Sequence, residues 1–131
     1  MFSHITLGTS DWQRARPFWL AVMETLGHPV MFEREGGIAF GEPIGPKTFI
    51  GPPFDGQSAQ PGNGVHAAFL ANSHATVDAF YAAALANGGT DEGAPGLRPQ
   101  YHQHYYGAYV RDPDGNKLQA VCHSPSGGTT A

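Results

Sequence analysis

The sequence predicts an α+β domain built from two βαβββ modules, with curved mixed sheets and helices on the outside. Three observations predict it. "HITLGTSDWQRARPFW" from His4 and "HAAFLANSHATVDAFY" from His66 are similar at an offset of 62 residues. Each copy opens on an alternating run and continues at helical spacing. The chain closes on "VRDPDGNKLQAVCH", two short apolar runs about an Asp-Pro-Asp-Gly-Asn turn, which reads as a β-hairpin.

The elements follow in order. Residues 2–8 alternate, with Ile5 and Leu7 on one face and His4 and Thr6 on the other. Ser10 or Asp11 caps a helix over 11–26, and Gly27 stops it. Trp12, Ala15, Phe18, Trp19, Val22 and Leu26 fall on one face of that helix. Pro17 interrupts the pattern and predicts a kink or a shifted start. Short strands follow at about 29–34, 37–41 and 47–51. Module two repeats the scheme. Residues 64–71 form a strand with Val65, Ala67 and Phe69 on one face and His66 on the other. Ser73 caps a helix over 74–87 that turns Val77, Phe80, Tyr81 and Leu85 inward. Strands at about 106–112 and 116–122 complete the module. Residues 88–105 read as a long irregular loop, of the length that in compact domains is usually functional or disordered. The boundaries are a single domain over 1–131, with module one about 1–56, module two about 62–123, and a disordered tail over 124–131.

Composition narrows the function. The 131 residues are 40% hydrophobic and 14% charged, with a net charge of −4 and no Lys/Arg cluster. Nucleic acid and anionic membrane are poor partners for such a chain. No apolar run approaches the roughly 20 residues that span a bilayer, and no leader pattern is visible at the N-terminus. The single cysteine, Cys122, excludes an internal disulfide and fits a reducing compartment, so the expected location is cytoplasmic. Nothing resembles a Ser-His-Asp set, a phosphate-cradling loop or a dinucleotide fingerprint.

"FSHITLGTSD", "GNGVHAAFLA" and "YYGAYVRDPDGNKLQAVCH" together resemble the vicinal oxygen chelate superfamily, the glyoxalase, bleomycin-resistance and extradiol-dioxygenase group. The resemblance implies a concave site that binds a divalent metal (zinc, nickel or iron) through one residue on the first strand and one on the last strand of each module. Carried over by position, these are His4 and His66, then Phe49 and Gln119. The strand pattern agrees for the histidines, which lie opposite the apolar faces. Superfamily metalloenzymes place glutamate at the last-strand positions. Phe49 cannot ligate, and Gln119 offers a neutral oxygen, so the metal set reduces to His4, His66 and Gln119. A glutathione-hemithioacetal lyase needs a metal-bound carboxylate as base, so lactoylglutathione lyase activity is disfavoured. The resemblance also implies a homodimer.

"YHQHYY" (101–106) is the second candidate. Strand alternation would place His102, His104 and Tyr106 on one side as acid/base groups, and Tyr101 with Gln103 and Tyr105 on the other. The competing reading is an aromatic-rich strand entry at a dimer interface. Phe49, Tyr101 and Arg111 are the substrate-contact candidates, although exposed hairpin charge is the plainer account of Arg111 and Lys117. Two functions stay open: a metal-assisted lyase, isomerase or dioxygenase, and a metal-free protein that binds a small molecule in an aromatic groove.

Overall fold

A computed structural model describes residues 1–125. Of the tail expected over 124–131, residues 126–131 lie outside the described residues. Strand β1 (His4–Gly8) leads into helix α1 (Trp12–Leu26), followed by β2 (Val30–Arg34), β3 (Gly37–Gly41) and β4 (Lys47–Gly51). The second module repeats this with β5 (His66–Leu70), α2 (His74–Ala86), β6 (Thr90–Leu97), β7 (Tyr106–Arg111) and β8 (Lys117–Cys122). Each module is one four-stranded mixed sheet, ordered β1-β4-β3-β2 and β5-β8-β7-β6. No helix among the described residues is long and apolar enough to cross a membrane.

Register gives the repeat its physical meaning. β1 pairs in parallel with β4, so that His4 faces Lys47 and Thr6 faces Phe49. β5 pairs in parallel with β8, so that His66 faces Lys117 and Ala68 faces Gln119. Phe49 and Gln119 therefore occupy equivalent places in the two sheets.

The helices form where their caps and apolar faces dictate. Asp11 caps α1 by accepting from the Arg14 backbone N–H, and Ser73 caps α2 by accepting from that of Thr76. Gly27 closes α1 at φ 76°, a left-handed conformation that favours glycine. Pro17 lies inside α1, which runs through it without ending. Ala15, Phe18, Trp19, Val22 and Met23 of α1 are buried in one core with Val77, Phe80 and Ala84 of α2. Trp19 meets Phe69 of β5 edge to face, with ring centroids 6.4 Å apart, so the core joins the two modules. Leu85 departs from expectation: it is 40% exposed, because the inward stripe of α2 narrows to Val77, Phe80 and Ala84.

The larger correction concerns 88–105. Residues 90–97 are not irregular; they form β6, paired antiparallel to β7. Its register shifts between Asp91 and Gly93 and again between Gly93 and Gly96. Two irregularities in eight residues erase the period-2 pattern that would have shown the strand. Between β6 and β7 the connection is 98–105, closed where Arg98 N–H donates to the Tyr105 carbonyl at 2.7 Å.

The Asp-Pro-Asp-Gly-Asn turn fastens the modules together. Asp112, 4% exposed, accepts from the backbone N–H groups of Asp114 and Asn116 and from Asn116 Nδ2. Asn116 Nδ2 also donates to the Gly8 carbonyl of β1 at 3.0 Å, and Arg14 of α1 pairs with Asp114 at 3.2 Å. Burial pushes the Asp112 carboxyl above its ordinary value, against the hydrogen bonds that lower it.

Candidate functional site

Alternation along β7 and β8 separates a core face from an open face. Ala108, Val110, Leu118, Ala120 and Cys122 are fully buried toward the helices. Gly107, Tyr109, Arg111, Lys117 and Gln119 take the opposite face. There His66 of β5 meets Gln119: His66 Nε2 lies 3.0 Å from Gln119 Oε1. Gln119 Nε2 donates to the Tyr105 hydroxyl. That assignment of the amide leaves its oxygen toward His66, so His66 donates from Nε2. Gln119 is 1% exposed and both ends of its amide are satisfied. Gly107 permits the arrangement, because a Cβ there would lie 3.3 Å from Gln119 Nε2 and 3.4 Å from the Tyr105 ring.

Beside this chain of contacts a cleft of about 270 Å³ is lined by His66, Glu92, Arg98, Tyr101, Tyr109 and Lys117, among others. The Arg98 guanidinium carbon lies 5.7 Å from the Tyr109 ring centroid and Lys117 Nζ lies 5.4 Å from it. Desolvation, followed by its hydrogen bond with Tyr105, pushes the Tyr109 phenol up to about 12, so it is neutral at physiological pH. Glu92 is held by Arg111 at 2.5 Å, and Arg111 also donates to the Gly115 carbonyl.

The equivalent face of the first sheet is aromatic, and there His4 Nδ1 lies 2.8 Å from the hydroxyl of Ser3, just before β1. His4 meets Phe49 edge to face at 5.2 Å, and Phe32 lies 6.1 Å from Phe49. Phe49 lines a cavity there with Thr6, Phe32, Arg34 and Ile38.

The expected ligand set fits a metal poorly. Two of its members, His66 and Gln119, bond to each other, and the third, His4, stands against an aromatic ring. Among the described residues no three His, Cys, Asp or Glu side chains are grouped as a metal requires.

Among the 101–106 candidates, His102 gathers on Tyr105 with ring centroids 5.5 Å apart, His104 N–H donates to His102 Nδ1 at 3.1 Å, and Tyr106 turns elsewhere. This segment is a turn leading into β7, so strand alternation does not govern it. His102 Nε2 lies 2.9 Å from Nδ1 of His123, just beyond β8. His104 contacts Gln103. Tyr106, at the start of β7, points to α2. It donates to Asp78 at 2.7 Å and stacks on His74 at 3.9 Å, and the Asp78 bond pushes its phenol up to about 12. Tyr106 thus faces α2 rather than the turn that carries His102 and His104. Tyr101 packs on Tyr105 at 4.8 Å and does line the cleft. Tyr109 and Arg98 were missed. Tyr109 was legible, because it alternates with the apolar Ala108 and Val110 on a strand already identified.

Two four-stranded modules related by an internal repeat, each opening on a histidine strand, define a paired βαβββ protein. The matching family model is described as the Glyoxalase/Bleomycin resistance protein/Dioxygenase superfamily and covers residues 1–120. The chain belongs to that superfamily. A glyoxalase/bleomycin resistance protein from Albidiferax ferrireducens T118 is 38% identical, with a TM-score of 0.84 over 95% of this chain and 99% of that one. A glyoxalase-related enzyme from Fulvimarina pelagi is 20% identical, with a TM-score of 0.73 over 100% and 97%. A lactoylglutathione lyase from Agrobacterium tumefaciens is 18% identical, with a TM-score of 0.63 over 93% and 92%. The last two share the fold alone. No curated protein matches the chain.

Proposed function

We propose that this protein binds a small organic molecule on the open face of the second sheet, through its own side chains and without a metal. The observation that carries the reading is the contact chain His66–Gln119–Tyr105 beside Tyr109. It presents fixed polar atoms next to aromatic surface, the usual make-up of a small-molecule site. Phe49 and Gln119 supply no carboxylate, so no lyase step through a metal-bound base is assigned. The protein is further proposed to be a homodimer. Support comes from Phe2, Val65 and Leu70, which are 70%, 66% and 71% exposed at or beside β1 and β5, each an outer strand of its own sheet.

Chemical-shift mapping on chelator-treated protein tests the site. The probes are 2-naphthoate, 2-naphthamide and 2-naphthylmethylammonium. At least one is expected to move the Tyr105, Tyr109 and Gln119 signals. Shifts confined to other surfaces, or shifts that appear only with added zinc, would refute the reading.

A further inference from the structure

We infer that the molecule taken by this cleft is a planar organic anion, such as an aromatic or conjugated carboxylate. The inference rests on the proposed site and adds its charge preference. It follows from where the chain spends its few cations. Seven Lys and Arg side chains face eleven Asp and Glu. Arg14 pairs with Asp114, Arg16 with Glu33, and Arg111 with Glu92. Lys47 donates to the Gly45 carbonyl and Arg34 lies over Phe32. Those two, like Arg98 and Lys117, have no ion pair among the described residues, but they stand singly, whereas Arg98 and Lys117 share one tyrosine ring in one cleft.

Bringing two cations onto one ring sets their mutual repulsion against the attraction of the ring face, and an anion between them would relieve that repulsion. Glu92, the acid in the cleft, is engaged by Arg111 and does not neutralise them. The result is a locally positive cleft on a chain whose net charge is −4. Arg98 donates to the backbone carbonyls of Ala94 and Leu97, which hold its guanidinium near the ring. A planar guanidinium suits a planar anion, and the Lys117 ammonium adds a second positive charge. Tyr109 and Tyr101 offer faces for a conjugated body. His66 and the phenols supply further hydrogen-bonding groups around it. A cation would meet two like charges, and a neutral molecule would leave both uncompensated.

The same three naphthalene probes, of similar shape and different charge, test this by calorimetric titration. The acid is expected to bind about tenfold more tightly than the amide, the scale of two partly screened ion pairs. The ammonium probe is expected to bind weakest. Raising ionic strength should narrow the gap between acid and amide. In an Arg98→Gln, Lys117→Gln double variant, the ratio of acid to amide affinity should fall to about one. Lys117→Arg, which keeps the charge, should preserve most of it. Circular dichroism and thermal melts confirm that the variants fold. Equal binding of acid and amide, or tightest binding of the ammonium, overturns the charge preference while leaving the site intact. Acid binding that moves Phe32 and Phe49 and ignores the double variant also overturns the charge preference, and it places the acid on the first sheet instead of in this cleft. Absence of any shift at Tyr105, Tyr109 and Gln119 with all three probes removes the site and the inference with it.

Discussion

Replacing Gln119 by methionine separates hydrogen bonding from packing at the centre of the site. Methionine keeps a similar length and volume, so little cavity forms. What is lost is the contact from His66 at 3.0 Å and the donation to Tyr105. A net intramolecular hydrogen bond is worth about 1 kcal/mol, so two amount to about 2 kcal/mol. His66 is exposed and recovers water, whereas Tyr105 is half-buried and recovers less. Burial of the thioether offsets part of the loss. The expected destabilisation is therefore about 1–2 kcal/mol, measured by denaturant titration. Gln119→Ala should cost about 3 kcal/mol, because a cavity opens under a residue that is 1% exposed. The Tyr105 and His66 ring signals should shift in both variants, with weaker 2-naphthoate binding. If Gln119→Met is as stable as wild type and the Tyr105 signal stays in place, the amide does not hold the two rings and the contact chain is misassigned.

Phe80→Ala should cost about 3–5 kcal/mol, since the ring is fully buried in the shared core; an unchanged melting temperature would contradict that placement. Asn116→Ala should cost about 2–3 kcal/mol, through the lost donations to Gly8 and to buried Asp112, and urea titration measures it. The Tyr106 and Tyr109 phenols, raised to about 12 from 10.0, predict alkaline lability. A raised folded-state value gives stability that is complete below the unfolded value near 10 and is lost as pH rises through about 12. Melts across that range, beside a Tyr106→Phe, Tyr109→Phe variant whose decline should be shallower, check the sign. Light scattering at micromolar concentration should give a dimer mass, and a monomer would refute the homodimer.

The sequence determined the modules because their signals are local and repeated. A strand with His4 or His66 opposite its apolar residues, a capped helix with aromatics at 18–19 or 80–81, and a turn rich in Asp, Pro, Gly and Asn all follow from neighbouring residues. The equivalence of Phe49 and Gln119 was implied by the family resemblance, and parallel pairing with β1 and β5 puts the two residues in the same register. Strand β6 was not legible. Its bulges about Gly93 and Gly96 break the alternation, and only hydrogen bonding to β7 defines it as a strand. The direction of each aromatic side chain was decided by tertiary structure as well. Tyr105, in a turn, reaches Gln119, while Tyr106, one residue later and in register with Cys122, must point to α2. The pairing of His102 with His123 needed two distant segments to be brought together. So did the gathering of Arg98 and Lys117 on Tyr109, nineteen positions apart in sequence. Side-chain chemistry is written residue by residue, but which unpaired charges share a cleft depends on strand register and turn geometry. Those are fixed only when the sheet closes over its core.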